Sequence, residues 1–382
     1  MGTRRRAMAV MATAAVLLVG ACSSDADDQA TTDTPAGTAP DGTAAPGPDD
    51  TAVPDADLAT LAAEVPAAPS AGCGTETAVS LEVGEARVDT TAGGVDRWYL
   101  RQVPSAHDGD VPVPVVMDLH GYSEGAQVHR AMTGLADVGE AEGFLTVTPH
   151  GDGPVARWLS TSGSVDSEFL GQVLDELEAQ ACVDTNRIYV TGLSNGAFMT
   201  SVMLCDHADR IAAGAPVAGI QVIDGCDPAR PVPIATFHGT EDPFVSFEGG
   251  FGPGVATLPT PDGQGTIGDA AEIEGTDPEA SGVEGSGGLT VPEVTAVWAE
   301  RDGCGPDPTE TQLTEDVVVV SWPCPLGQEV VLYRVDGGGH TWPGSTFLES
   351  AVDLVGTTTF TIDANELIWA FFQDHPLGVA GT

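Results

Sequence analysis

The hydrophobic positions of this 382-residue chain follow two alternating patterns. The first is a short run that is apolar on both faces, which is typical of strands buried inside a parallel sheet. Such runs span residues 113–119, 144–148, 187–191, 212–217, 232–237, 317–321 and 329–335. The second pattern repeats every three to four residues and predicts helices at about residues 166–180, from Asn195, at 292–301 and at 364–372. We therefore expect a single α/β domain whose mostly parallel sheet is covered by helices on both faces.

The first residues of the chain have the pattern of an export signal. Three arginines at positions 4 to 6 precede an apolar stretch, residues 7–19, that is too short to span a membrane permanently. Small residues then lead to Cys22, and this arrangement resembles a bacterial lipoprotein signal. We expect residues 1–21 to be a signal peptide and the thiol of Cys22 to carry a lipid anchor. The alternative is an ordinary cleaved signal peptide with a chance cysteine, and the paired arginines are also compatible with twin-arginine export.

Two segments have compositions that do not favour packing. Residues 22–72 are rich in Ala, Thr, Pro and Asp, with ten acidic side chains and no basic one. Such a segment buries too little apolar surface to offset the entropy of ordering it, so we expect a disordered acidic tether. It precedes a catalytic domain expected over residues 73–382. Within that domain, residues 249–289 are rich in glycine and acid without any period, which predicts a long surface insertion.

Acidic side chains dominate the charge of the chain. There are 57 acidic and 13 basic residues, all of the latter arginine, which gives a net charge of −44. This excess argues against nucleic acid as a partner. The lack of lysine excludes a Walker-type phosphate loop and a pyridoxal phosphate anchor. Gly263, Gly265 and Gly268 match a dinucleotide fingerprint by spacing, but no predicted strand precedes them, so we expect no cofactor.

Beyond the signal region the chain contains six cysteines. An even number of cysteines in an oxidising compartment predicts three disulfides. The chain contains no C-x-x-C pair, which is the spacing typical of a zinc site, so we expect no metal. Six cysteines allow fifteen connectivities, and the sequence leaves all of them open. Proximity favours the pairs Cys205–Cys226 and Cys304–Cys324, which would leave Cys73 with Cys182.

The strongest local signal for chemistry is the pentapeptide Gly-Leu-Ser-Asn-Gly at residues 192–196. It lies directly after a predicted strand and directly before a predicted helix. A serine nucleophile at such an elbow needs small neighbours, because the backbone is strained and the adjoining elements approach closely. The start of the helix also favours negative charge at this place. The pattern therefore predicts Ser194 as a nucleophile, while a tight packing corner is the plain structural alternative.

A histidine and an acid follow this serine, each just after a predicted strand. The order Ser194, Asp242, His340 is that of an α/β-hydrolase triad. In such a triad His340 takes the serine proton, while Asp242 orients the ring and stabilises its positive charge. Glu241 and Asp224 are the alternative candidates for the acid.

An oxyanion hole requires backbone amides that face the serine. We expect the amide of Asn195, which follows the nucleophile, to be one donor. An early predicted strand ends in a glycine turn, where the amide of Tyr122 is the second expected donor and that of Gly121 its alternative.

Two tryptophans and a histidine are candidates for the substrate-binding wall. Trp158 lies in a glycine-rich loop, and Trp342 and His120 lie beside the predicted catalytic turns. An aromatic wall at these positions could hold an aryl or sugar group. Core packing is the alternative, and for Trp158 the two interpretations have equal weight.

Together these motifs resemble the secreted esterases grouped with polyhydroxybutyrate depolymerases and feruloyl or acetylxylan esterases. The resemblance covers about residues 98–344 and is carried by residues 118–121, 187–197, 215–219, 238–243 and 337–344. It implies the α/β-hydrolase fold, with the triad on Ser194, Asp242 and His340. The chain departs from that family in its long 249–289 segment and in lacking a separate polymer-binding domain.

We therefore expect a serine carboxylesterase that works outside the cytoplasm, as a monomer held to the membrane only by its lipid or released from it. Expected substrates are short hydroxyalkanoate oligomers or feruloyl and acetyl esters of plant polysaccharide. A serine peptidase of the same fold is one alternative. The other is a catalytically inactive lipoprotein that binds a surface ligand.

Overall fold

The computed structural model describes residues 58–274 and 288–379. The predicted signal peptide, Cys22 and most of the predicted tether therefore lie outside the described residues. Within the described residues, no helix combines the length and the apolar character needed to cross a membrane.

The described residues form one sheet of ten strands with the order β1-β2-β4-β3-β5-β6-β7-β10-β9-β8. The strands are β1 Gly84–Ala92, β2 Val95–Val103, β3 Val113–Leu119, β4 Leu145–Pro149, β5 Val183–Leu193, β6 Ala213–Val217, β7 Ile234–Gly239, β8 Thr309–Gln312, β9 Val317–Ser321 and β10 Val330–Val335. The six central strands from β4 to β10 pair in parallel, and the outer strands on both sides pair antiparallel. The predicted mostly parallel α/β architecture is confirmed.

Ten helices accompany this sheet in the described part of the chain. They are α1 Leu58–Glu64, α2 Glu76–Val79, α3 Gly125–Thr133, α4 Leu135–Glu142, α5 Val165–Gln180, α6 Asn195–Asp206, α7 Ile267–Glu274, α8 Val291–Arg301, α9 Val352–Val355 and α10 Ala364–Asp374. Helix α5 buries the predicted stripe that includes Phe169, Val173 and Leu177. Helix α6 is buried from Asn195 to Cys205 because it packs directly behind the central strands β5 and β6.

The β1–β2 hairpin at one edge of the sheet has no counterpart among the predicted strands. The residues of β1 alternate between half-buried and exposed along the whole strand. An edge strand of this kind lacks the apolar run that marks a strand buried on both faces. For the same reason β8, whose four residues are all exposed, gives no hydrophobic signal.

The ordered domain includes residues that the sequence analysis assigns to the tether. Helix α1 packs against α10, and Arg187 donates hydrogen bonds to the carbonyls of Ala62 and Val65 at 3.3 and 3.0 Å. The hydroxyl of Ser70 donates to the carbonyl of Ala181 at 3.0 Å. The expected boundary at residue 73 is therefore too late. The segment is acidic overall, but its last part has enough apolar side chains and backbone partners to pack.

The predicted insertion over residues 249–289 is partly regular, contrary to expectation. It contains a 3-10 turn, Pro253–Thr257, and helix α7. Val255 and Ile267 are buried in a small apolar cluster with Tyr122 and Phe244. This part of the insertion therefore covers the carboxyl edge of the sheet. Residues 275–287 lie outside the described residues.

Three disulfides join the six cysteines in the predicted pairs. The bonds are Cys73–Cys182, Cys205–Cys226 and Cys304–Cys324. The first closes a loop with a sequence separation of 109 residues and ties the start of the domain to the end of α5. Closing a loop of this length removes much conformational freedom from the unfolded chain.

Candidate active site

Ser194 lies at the sharp turn between β5 and α6, as predicted. Its backbone has φ 58° and ψ −121°, a conformation that non-glycine residues rarely adopt. Its amide donates to the carbonyl of Val217 at 2.9 Å, which ties the turn to the neighbouring strand. The flanking glycines are required by packing, since a Cβ on Gly192 or Gly196 would stand 2.5 or 2.0 Å from the carbonyl oxygen of Leu119. The elbow therefore fits only because these two positions have no side chain.

Asp242 and His340 lie in the loops after two neighbouring parallel strands, β7 and β10. The Nδ1 atom of His340 is 2.7 Å from Oδ2 of Asp242. The other carboxylate oxygen of Asp242 accepts hydrogen bonds from the amides of Phe244 and Val245 at 2.8 and 2.9 Å. Of the alternative acids, Glu241 and Asp224 are both exposed.

The protonation of this pair follows from burial and mutual charge. Burial opposes ionisation of Asp242, but the charge and hydrogen bond of His340 outweigh it and hold the pKa of the carboxyl below its usual range. Burial also opposes a charge on His340, yet the charge and hydrogen bond of Asp242 raise the pKa of the imidazole above its usual value. Asp242 therefore stays ionised and favours positive charge on His340.

Ser194 and His340 line the same pocket, which has a volume of about 160 Å³. Its walls are mainly apolar and aromatic. The lining residues are Tyr122, Ser123, Glu124, Leu193, Ser194, Phe244, Leu258, His340, Leu348 and Val355. Leu258 belongs to the insertion, so this segment contributes directly to the candidate site.

The loop after β3 places the predicted oxyanion donors near this pocket. The amide of Gly121 donates to Oε2 of Glu124 at 2.9 Å, so it is already engaged. Among the described residues, the amides of Tyr122 and Asn195 have no hydrogen-bond acceptor. The loop is held in place by Ser123, which has a positive φ of 65° and donates its amide to Ala156. Of the two predicted alternatives, the geometry favours Tyr122 over Gly121.

A buried network of charged side chains packs against the loop that follows β3. No sequence motif predicts this network. The two ring nitrogens of His129 lie 2.7 Å from Oδ1 of Asp118 and 3.2 Å from Oε2 of Glu124. Thr133 donates to the other oxygen of Asp118 at 2.8 Å. A histidine between two carboxylates donates from both nitrogens and is therefore an imidazolium. We call Asp118, His129 and Glu124 the charged clamp.

The pKa values of the charged clamp agree with its hydrogen bonds. Burial alone lowers the pKa of His129, but the charge and hydrogen bond of Asp118, joined by those of Glu124, raise it to about 10. Burial alone would raise the pKa of Glu124, but its hydrogen bond to His129 and the charge of that ring outweigh burial. The pKa of Glu124 is therefore below its usual range. His129 is thus positively charged and Glu124 negatively charged at neutral pH.

The three residues expected to form the substrate-binding wall are buried in the structure. Trp158, Trp342 and His120 are 2%, 1% and 0% exposed. The indole of Trp158 donates to the carbonyl of His120 at 2.8 Å, and His120 accepts from the amide of Gly151 at 2.8 Å. These side chains support the loops around the pocket, so the expected contact with substrate is not borne out by this geometry.

The side chains of three residues near the pocket have roles that no sequence motif predicts. Tyr122 and Phe244 are the aromatic residues that line the pocket. The side chain of Asn195 accepts from the amide of Trp158 at 2.7 Å and donates to its carbonyl at 3.1 Å. This pair of bonds fixes the elbow to the loop before α5. A single sequence offers no signal for a contact between such distant residues.

Among the described residues, no group of three or more His, Cys, Asp or Glu side chains is arranged so that it could hold a metal ion. The pocket therefore offers a serine, a histidine with its carboxylate, and two unengaged amides. That set can attack a carbonyl carbon, move a proton and stabilise an oxyanion.

The charged clamp is expected to make the folded protein less stable as the pH becomes alkaline. The pKa of His129 is about 10 in the folded protein and about 6.5 in an unfolded chain. Its contribution is therefore complete below pH 6.5 and is lost progressively as pH rises through 10. We expect the free energy of unfolding, measured by urea titration, to fall more steeply over this range in the wild type than in His129→Gln. Parallel pH curves for the two proteins would show that His129 is not held as an imidazolium.

One family model matches part of this chain. Residues 159–248 match the family model described as the prolyl oligopeptidase family. The matched segment contains the elbow at Ser194 and the acid at Asp242, and it ends before His340.

Similar proteins are named for esterases and depolymerases. A bifunctional acetylxylan esterase/xylanase from Neocallimastix patriciarum is 30% identical over 35% of this chain and 20% of its own length. Feruloyl esterase B from Piromyces equi is 28% identical over 64% of this chain and 42% of its own length. Poly(3-hydroxyalkanoate) depolymerase C from Paucimonas lemoignei is 33% identical over 31% of this chain and 30% of its own length. The chain thus spans less than half of each of these relatives. The chain has the α/β-hydrolase fold and is similar, over part of its length, to proteins named as acetylxylan esterase, feruloyl esterase and poly(3-hydroxyalkanoate) depolymerase.

Proposed function

We propose that the protein is a serine carboxylesterase in which Ser194 is the nucleophile, His340 the general base and acid, and Asp242 the orienting carboxylate. The observation that carries this proposal is the 2.7 Å hydrogen bond between His340 and Asp242, beside a pocket that His340 shares with the strained Ser194. The names of the relatives support ester hydrolysis as the reaction class.

The hydrogen bonds already present in the pocket determine which atoms can take part in the reaction. Nδ1 of His340 is bonded to Asp242, so Nε2 remains to accept the hydroxyl proton of Ser194. The serine oxygen attacks the ester carbonyl, and the amides of Tyr122 and Asn195 stabilise the oxyanion. The protonated His340 then gives its proton to the leaving alcohol. Water, deprotonated by His340, hydrolyses the acyl-enzyme and releases the acid.

The size of the pocket indicates that it holds a short acyl group of the substrate. Its volume of about 160 Å³ is small, and sites for drug-sized ligands are about 300 to 1,000 Å³. Its walls include Leu193, Phe244, Leu258 and Leu348, which favour an uncharged chain. Acetyl esters of polysaccharide and short hydroxyalkanoate oligomers have short acyl groups of this kind. Feruloyl esters, whose aromatic acyl group is larger, stay proposed substrates on the resemblance alone.

A serine peptidase is the second candidate, because the matched family model is named for prolyl oligopeptidases. The same triad can cleave amides as well as esters. Hydrolysis of a prolyl 4-nitroanilide faster than of aryl esters would favour the peptidase. Hydrolysis of aryl esters with no detectable cleavage of the anilide would favour the esterase.

Replacement of the nucleophile tests the proposed function directly. We expect Ser194→Ala to lower kcat on 4-nitrophenyl butyrate by at least about a thousandfold, as for other serine hydrolases. Ser105→Ala, at an exposed serine, is the matched control and should keep the wild-type rate. Equal rates for Ser194→Ala and wild type would remove Ser194 from the mechanism. A folded wild type without activity on any neutral ester would favour the inactive, ligand-binding alternative.

We also propose that the enzyme works outside the cytoplasm, with a lipid on Cys22. The three disulfides support an oxidising compartment, and the residues before Cys22 support processing as a lipoprotein. No nucleic acid partner is proposed, and the enzyme is expected to act as a monomer.

Anchoring can be tested separately from catalysis. We expect Cys22→Ser to move the enzyme from the membrane fraction to the medium, with kcat on a soluble ester unchanged, because the lipid makes no part of the pocket. Wild-type protein is the control, and its amount in the membrane fraction is the reference value. Unchanged membrane association of Cys22→Ser would contradict lipidation at this cysteine.

A further inference from the structure

Glu124 is the one acidic side chain among the described residues that line the candidate pocket. It lies at the start of α3, in the loop that follows β3. The proposed mechanism assigns it no step. A carboxylate beside a nucleophile that must develop an oxyanion is electrostatically unfavourable for the reaction, so its position calls for a reason.

The carboxylate of Glu124 is fixed rather than free to rotate. Its Oε2 atom accepts from the amide of Gly121 at 2.9 Å and from Nδ1 of His129 at 3.2 Å. It also packs against Gly121, where an added Cβ would stand 3.1 Å from the carboxylate. Oε1 makes no hydrogen bond to any described residue, and the side chain is 22% exposed. One oxygen is thus held while the other is open to solvent at the pocket.

The charge of Glu124 is also maintained. His129 donates to Glu124 on one side and to Asp118 on the other, so a proton on Glu124 would break a charged hydrogen bond. The charge of Glu124 reaches the catalytic base, because Glu124 contributes to the raised pKa of His340.

We propose that Glu124 is a specificity-determining residue that makes the pocket disfavour esters with an anionic group near the scissile bond and favour neutral and cationic ones. This inference rests on the proposed esterase function of the same pocket. The charged clamp supplies a fixed, ionised carboxylate, and the low-dielectric walls around it strengthen its effect on a nearby charge. A substrate carboxylate meets repulsion there that a neutral ester does not, whereas a substrate cation is attracted.

Three aryl acetates with a negative, a neutral and a positive substituent at the same ring position test this proposal. They are 4-acetoxybenzoate, methyl 4-acetoxybenzoate and 4-acetoxy-N,N,N-trimethylanilinium, and release of the phenol is followed at constant ionic strength. We expect Glu124→Gln to raise kcat/KM for the anion relative to the neutral ester by about tenfold and to lower it for the cation relative to the neutral ester. Such opposite changes cannot arise from partial unfolding, because the ratios do not depend on the amount of active enzyme.

Glu349→Gln is the matched control, since Glu349 is exposed and follows the pocket residue Leu348. It removes the same charge without altering the pocket and should leave both ratios at wild-type values. Unchanged ratios in Glu124→Gln, or equal shifts in Glu349→Gln, would overturn the proposal. An inactive wild type, by contrast, would refute the esterase function itself.

A measurement on the wild type alone covers the case in which Glu124→Gln does not fold. At about 1 M salt the screening length is about 3 Å, so charges elsewhere on the acidic surface have little effect on the substrate. We expect the order cation, neutral ester, anion to persist under these conditions in kcat/KM divided by the rate constant of each ester for hydrolysis by imidazole, which corrects for the different leaving groups, because Glu124 lies in the pocket. Loss of the order at high salt would assign the preference to the general charge of the protein and contradict the proposal.

Discussion

The buried hydrogen bond between Asp242 and His340 is the interaction on which the candidate site depends. It joins loops from two parallel strands, β7 and β10, whose ends approach so closely that a Cβ on Gly239 would stand 2.2 Å from the carbonyl oxygen of Gly338. The two amides that bind the second oxygen of Asp242 fix its orientation. Without Asp242, His340 would be a buried imidazole with no preferred orientation toward Ser194.

Two further constraints bring the serine to this histidine. The elbow stores backbone strain at Ser194 and needs glycines where β3 and β5 meet α6. The insertion closes the other side of the pocket through Leu258 and through the hydrogen bond from the hydroxyl of Tyr122 to the carbonyl of Pro259, at 3.0 Å. The shape of the pocket thus depends on a segment whose composition suggests only a surface loop.

Much of this arrangement is predictable from the sequence because strands buried on both faces form continuous apolar runs. Strands β3 and β9 and the start of α6 agree with their predicted bounds. The order of Ser194, Asp242 and His340 at strand ends is also visible in the sequence. Proximity favours the disulfide pairs that the structure contains, because two of the loops are short, with separations of 21 and 20 residues, but it does not by itself exclude the other connectivities.

Other features depend on contacts between distant residues and leave no local pattern. Edge strand β1 and helix α1 are stabilised by partners far along the chain, so their own hydrophobicity is a poor guide. Trp158 lies in a glycine-rich loop but turns inward to bond His120. The charged clamp is of the same kind, since a histidine within a helix reveals its charge only when both carboxylates beside it are located.

The most direct test of this account is the pH dependence of kcat/KM on a neutral aryl ester between pH 5 and 9. His340 must be neutral to accept the serine proton, and the charge and hydrogen bond of Asp242 outweigh burial and raise its pKa. We expect kcat/KM to rise with pH to a plateau. The apparent pKa of this rise should lie above about 6.5, the ordinary value for histidine. A rate that is independent of pH over this range, or that falls as pH rises, would contradict the assignment of His340 as the base.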